Sequence, residues 1–429
     1  MKLRKWLALR GPGYVGRRTA ILLDRYGITP SKAADRVEGC IATLAEYDCL
    51  PTLPTPGRVV ERYPQFLRHL QDAGVEITVH GYDHLDLKAY SPAQASEQLV
   101  RAAQVFARHG IEVHGLRCPY LSCTDDLLDV LPKGVFEYSS NRAIWWDVAS
   151  STDIRNATAI FDALSRFYRA TSADEMVCTP RTRSNVVEIP VSLPDDLQLH
   201  DGLQLGHEGM TQAWSQILHR THQRGEIFVL QFHPELASLC RPVLAAIVRQ
   251  ARRLRPQVWI ARLRDISSWW QEKAGFAATV SYASTGLDIA FTCSERATIL
   301  VRGLDDLGSA RMWDGRYLRL ESRSLHVPRH CRPLIGLAAD CAKRVAPFLR
   351  EQGYILDTDE TAPRCSVYID AAVLDRTTNE VELVDYIESS AAPLVRYWRW
   401  PDGAKSAMCV TGDLDALTLV DYALRLFVR

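Results

Sequence analysis

The chain has 429 residues, of which 47% are hydrophobic and 24% charged, with 51 Lys plus Arg against 51 Asp plus Glu. At roughly 150 residues per domain this length suggests about three domains, and the apolar share excludes wholesale disorder, a collagen-like repeat and a coiled coil. A formal net charge of zero gives no global field toward nucleic acid or an anionic membrane, so no nucleic-acid partner is expected.

At the start, Met1-Lys-Leu-Arg-Lys5 is basic, but the apolar stretch Trp6-Leu-Ala-Leu9 breaks at Arg10-Gly-Pro-Gly13. That is shorter than the roughly 7–15 residues of a signal-peptide core. No window approaches the ~20 apolar residues of a membrane span. The eleven cysteines are scattered and include no C-x-x-C pair, which suits buried thiols in a reducing compartment. A cytoplasmic protein is expected.

From Arg18 to about Lys273, short apolar runs alternate with amphipathic segments. Strands are predicted at Thr19–Leu23, Val75–Val79, Val113–Leu116, Val186–Pro190, Ile227–Phe232 and Val258–Ala261. Helices are predicted over 31–46, 64–73, 91–109, 210–223 and 237–254, with Ser openings and Gly stops as punctuation. This rhythm suggests a barrel-like or doubly wound α/β domain over residues 1–273. Alternating runs and turn glycines then predict a small β-rich domain over 274–330. Residues 331–429 read as an α/β region: a β-α-β unit, a strand at Ala407–Thr411 and a closing helix from about Asp415 to Phe427.

The sharpest local signal is Thr78-Val-His80-Gly-Tyr-Asp-His84, where a strand runs into a turn with two histidines four apart. Such a pair suits a metal such as zinc, although surface histidines produce it by chance. Arg117 in Leu116-Arg117-Cys-Pro-Tyr120 and His233 in Val229-Leu-Gln-Phe-His233 follow, and Asp24 ends the first predicted strand. Carboxyl ends of parallel strands are where α/β folds gather active sites. Glu226 and Glu235 read as solvated charges, and Trp145 and Trp146 as either core or wall.

The order of these motifs resembles the polysaccharide deacetylase family, also called NodB-homology or carbohydrate esterase family 4. The likeness runs from residue 18 to about 270. It matches the family's Asp motif to Asp24, its H-[ST]-x-x-H motif to His80–His84, and its R-x-P-[YF] motif to Arg117–Tyr120. An Asp/Trp-bearing motif falls on Trp145-Trp146-Asp147, and a Leu-x-x-His-like motif on Leu230–His233. The resemblance implies a distorted (β/α) barrel of NodB type, followed by β-rich and α/β accessory regions. It also implies a divalent metal, zinc in expectation, and removal of an acyl group from an N-acylated carbohydrate or related small amide. His80 and His84 would be metal ligands, Asp24 the base, Arg117 its partner, His233 the proton donor, and Tyr120 and Trp146 substrate contacts. A homo-oligomer is compatible with this reading.

Two departures stand out. Arg25 occupies the place of the family's second acid, which raises the alternative of a catalytically silent fold that binds a glycan or a partner protein. Gly81 replaces the usual Ser or Thr. Meanwhile Ala407-Met-Cys-Val-Thr411-Gly-Asp413-Leu-Asp415 looks more like the family's first motif than Leu23-Asp24-Arg25 does. These acids could dock onto the barrel, in cis or from a partner chain, with Asp415 as third metal ligand. They could equally be a duplicated remnant with a packing role, or cap the closing helix.

Overall fold

The computed structural model describes residues 25–155, 157–282, 284–304, 307–308, 310–328 and 331–424. The predicted strand at Thr19–Leu23 and the candidate base Asp24 lie outside the described residues.

Among the described residues, nine strands form the main sheet. They are β1 (Thr52–Thr55), β2 (Glu76–Val79), β3 (Gly115–Leu116), β4 (Tyr138–Ser139), β5 (Arg181–Arg183), β6 (Val186–Glu188), β7 (Ile227–Phe232), β8 (Val258–Ile260) and β9 (Ser406–Gly412). The spatial order is β7-β9-β1-β2-β3-β4-β6-β5, with β8 also paired to β9. All neighbours are parallel except the β5/β6 hairpin. Helices cover this curled sheet, giving a distorted (β/α) barrel followed by a β-rich part and an α/β part.

Local chemistry explains the helices. Helix α1 (Pro92–Arg108) opens on a Ser91/Gln94 capping box with Pro at its first position. It then buries Ala95, Leu99, Ala102, Val105 and Phe106 along one face. Helix α2 (His207–Arg224) stops at Gly225, whose φ of +68° suits glycine. A Cβ there would stand 2.3 Å from the Trp398 ring, so packing demands glycine as well.

The decisive element is β9. Every one of its seven residues is buried, as a central parallel strand requires. It pairs with β7 from Ile227↔Ala407 to Phe232↔Gly412, and with β1 at Thr52↔Thr411. The strand expected in the terminal α/β region therefore completes the barrel sheet. Likewise Leu394–Tyr397 pairs with Ile299–Arg302 of the β-rich part. The closing helix begins at Leu419 rather than Asp415, so Asp413 and Asp415 lie on a strand-end loop and do not cap it.

The segment before β9 is bolted down by aromatic and guanidinium donors. Trp400 Nε1 donates to Gly225 O at 2.9 Å, Arg399 Nη1 to Arg224 O at 2.7 Å, and Trp269 Nε1 to Arg399 O at 2.8 Å. Trp400 is fully buried against Trp259 and Trp270. Trp400→Ala is expected to lower unfolding free energy by about 3–5 kcal/mol, because it opens a large cavity. Urea denaturation followed by circular dichroism measures this.

Candidate active site

Four strands of the main sheet end at one mouth. His80 follows β2, Arg117 follows β3, His233 follows β7 and Asp413 follows β9. Backbone bonds set the register: His80 N–H donates to Thr55 O at 3.0 Å and Arg117 N–H to Val79 O at 2.8 Å. Asp413 N–H donates to Phe232 O at 3.0 Å, and Leu414 N–H to Pro54 O at 2.8 Å. The acid loop is thus clamped between the ends of β7 and β1.

His80, His84 and Asp415 converge, with ligand atoms all within 4.8 Å of one another. His80 Nε2 stands 3.4 Å from Asp415 Oδ1, and His84 Nε2 3.1 Å from Asp415 Oδ2. Two donors held ~2.0–2.1 Å from one tetrahedral ion sit about 3.3 Å apart, so these spacings fit shared coordination. His80 Nδ1 lies 2.8 Å from Arg117 O, a bond that puts the proton on Nδ1 and leaves the Nε2 lone pair toward Asp415. Two imidazole nitrogens and a carboxylate oxygen are the donor set of a divalent metal with positions left open. These residues fit the expected ion. Gly81 takes φ +71° in the connecting turn, which explains glycine where the resemblance has Ser or Thr.

Asp413 stands beside this group. Its Oδ1 accepts from Arg117 Nη1 at 2.9 Å and its Oδ2 from Gln231 Nε2 at 2.9 Å, while His80 Nε2 stands 3.9 Å from Oδ2. Arg117 is wholly buried and spends its other donors on Thr411 Oγ1, Ser140 O and Ser140 Oγ. Arg25 is elsewhere, bound to Asp201 at 2.7 Å. Arg117 thus takes a carboxylate partner from the far end of the chain, while Asp24, its expected partner, lies outside the described residues.

A second cluster faces the mouth. His233 Nδ1 donates to Asp196 Oδ1 at 2.7 Å, and His233 N–H to Asp196 Oδ2 at 2.7 Å. Burial alone would push the imidazole pKa down; the Asp196 charge and hydrogen bond, helped by Glu235 and Asp195, outweigh it and hold the value well above 6.5. Asp195 is itself lifted to about 6, by burial first and then by the Asp196 charge. The sequence reading missed Asp195 and Asp196; their signal was an acid pair right after the short buried strand Val191–Leu193.

Other expectations need correction. Trp146 is fully buried in the main core, with Arg220 and Arg224 guanidinium groups 5.2 and 5.6 Å from its ring, so it reaches no substrate. Asp147 is exposed. Glu226 is not solvated but buried, paired with Arg224 at 3.1 Å, and Glu235 accepts from Tyr26 Oη at 2.9 Å. Tyr120 keeps its place: its ring meets His84 edge-on at 4.8 Å.

Asp196→Asn is expected to lower the His233 pKa, since it removes the largest charge and hydrogen bond that oppose burial. The raised value means that the pair's contribution to stability is present below pH ~6.5 and is lost as pH climbs through the folded-state pKa. NMR titration of the imidazole and pH-dependent denaturation of both proteins check the two halves.

Residues 26–138 match the sequence profile of the polysaccharide deacetylase family. No curated protein sequence matches the chain. Among solved structures, a Mycobacterium smegmatis protein described as a polysaccharide deacetylase aligns at 20% identity, covering 59% of this chain and 82% of its own, with a TM-score of 0.44. The Puue allantoinase aligns at 18% identity over 55% of this chain and 72% of its own, with a TM-score of 0.42. A Pseudomonas aeruginosa PAO1 protein described as a polysaccharide deacetylase gives 18%, 56%, 72% and 0.41. The profile match takes in His80, His84 and Arg117, and ends before the strands that bring His233 and Asp413.

Proposed function

Since residues 26–138 form part of a polysaccharide deacetylase domain, we propose that this protein is a metal-dependent hydrolase that removes an acyl group, acetyl in the simplest case, from an N-acylated sugar or related small amide. The observation that carries this reading is Asp413, set beside the His80, His84 and Asp415 group with both of its oxygens fixed. A bound divalent ion, zinc in expectation, would polarise the acyl oxygen and lower the pKa of water toward ~7.

The chain's own groups handle the protons. Asp413, hydrogen-bonded to Arg117 at 2.9 Å, accepts the proton of the attacking water. A C–O bond forms at the acyl carbon and the C–N bond breaks. His233, held as imidazolium by Asp196, gives its proton to the departing amine. The products are a carboxylate and an amino sugar. Tyr120 borders the mouth and limits how the acyl group enters.

The silent-fold alternative drew its force from the missing second acid, and Asp413 with Asp415 takes that motive away. Both acids come from this same chain, so the reading requires no second copy. A reducing, cytoplasmic setting remains part of the proposal, supported by eleven unpaired thiols. Among the described residues, no helix is long and apolar enough to cross a membrane.

Elemental analysis of purified protein is expected to find about one divalent ion per chain, lost in His80→Ala and Asp415→Ala. Asp413→Asn should retain the metal but release acetate from N-acetylglucosamine about 10²–10⁴-fold more slowly. Full acetate release by Asp413→Asn would overturn the assignment.

A further inference from the structure

Beside the catalytic mouth lies a recess of about 290 Å³. Tyr120, edge-on to His84, also meets Phe167 at 5.1 Å, and the two rings are 40% and 39% exposed. The next residues along both segments, Leu121 and Tyr168, line the recess itself. Tyr168 Oη donates to Asp195 Oδ2 at 3.0 Å, and Asp195 adjoins the Asp196 that holds His233. One wall is therefore continuous with the metal-ligating half of the site, the other with the proton-donating half.

The floor is built of buried polar groups. Glu188 is 3% exposed, and its Oε1 accepts the N–H groups of Asn141 at 2.8 Å and Arg142 at 2.7 Å. The carboxylate also lies against Ser139, and Oε2 retains acceptor capacity that a ligand hydroxyl can take up. Asn141 Oδ1 in turn accepts from Cys118 N–H at 2.6 Å, so the floor is tied to the residue after Arg117.

Charge selects the ligand. Three cations line the recess: Lys88, Arg142 and Arg169. Asp125 stands 3.5 Å from Arg142 and offsets it, whereas Lys88 and Arg169 make no ion pair among the described residues. Two cations at the lip, with a hydrogen-bond acceptor at the base, match a sugar that presents an anion outward and a hydroxyl inward. The volume sits at the lower edge of the ~300–1,000 Å³ of small-molecule pockets, which suits one sugar unit rather than a polymer.

We infer that this recess binds an anionic substituent, carboxylate or phosphate, on the acylated sugar, with Lys88 and Arg169 as its specificity-determining residues and Glu188 as acceptor for a sugar hydroxyl. The inference rests on the deacetylase reading for the identity of the sugar, while its test does not require turnover. Calorimetric titration of the metal-loaded protein compares N-acetylglucosamine, N-acetylglucosamine 6-phosphate and N-acetylmuramic acid, the last two distinguishing phosphate from carboxylate. At least one anionic sugar is expected to bind about tenfold or more tightly than the neutral one. That margin should shrink with added salt and collapse in the Lys88→Gln/Arg169→Gln double variant. Equal affinities, no binding of any of the three, or a margin that survives the double variant overturns the inference. Acetate release in the same samples reports separately on the reaction: a binding margin without release overturns the deacetylase reading and leaves the recess assignment standing.

Discussion

The buried ion pair between Arg117 and Asp413 joins residues 296 apart in sequence, and the catalytic geometry is organised around it. Neither group is tolerable alone in that position: a buried charge stripped of its partner costs about 3–5 kcal/mol. Arg117 donates to Thr411, Ser140 and Asp413, and its carbonyl fixes the His80 tautomer. One residue thus orients Asp413 and, through its own backbone, His80.

This constraint gives the long accessory stretch a physical role. The barrel sheet is incomplete until β9 slides between β7 and β1, and β9 can be placed only after the chain has travelled through the β-rich and α/β parts. Those parts share strands and buried donors with the barrel rather than hanging from it. Trp400, Arg399 and Trp269 fix the point at which the chain re-enters, so that the strand's last residues arrive with Asp413 and Asp415 at the mouth. The acid-bearing strand comes last in the chain, where the family resemblance would have it first.

The two halves of the site have opposite surroundings: Asp413 lies against a guanidinium, whereas His233 lies against a carboxylate pair that holds its pKa raised despite burial. The recess beyond Tyr120 includes Asn141, bonded to the residue after Arg117, and Tyr168, bonded to Asp195.

What the sequence determined by itself was local. The helices were legible from caps, glycine stops and apolar spacing, as Ser91 and Gly225 show. His80, His84, Arg117, Tyr120 and His233 were legible because each directly follows or sits near a strand whose pattern is clear. The Asp413/Asp415 pair was visible, but its use was not: nothing in a seven-residue apolar run says which sheet it joins, because parallel pairing is a long-range choice. Asp195 and Asp196 were hidden because their strand is only three residues long, and Trp146 was misplaced because adjacency to a motif does not fix which way a side chain faces. The buried partner that Arg117 takes, Asp413, was not legible either. Only the tertiary structure could decide it, since the buried guanidinium is satisfied by whichever carboxylate the sheet order brings to it, and that order is set by packing across the whole chain.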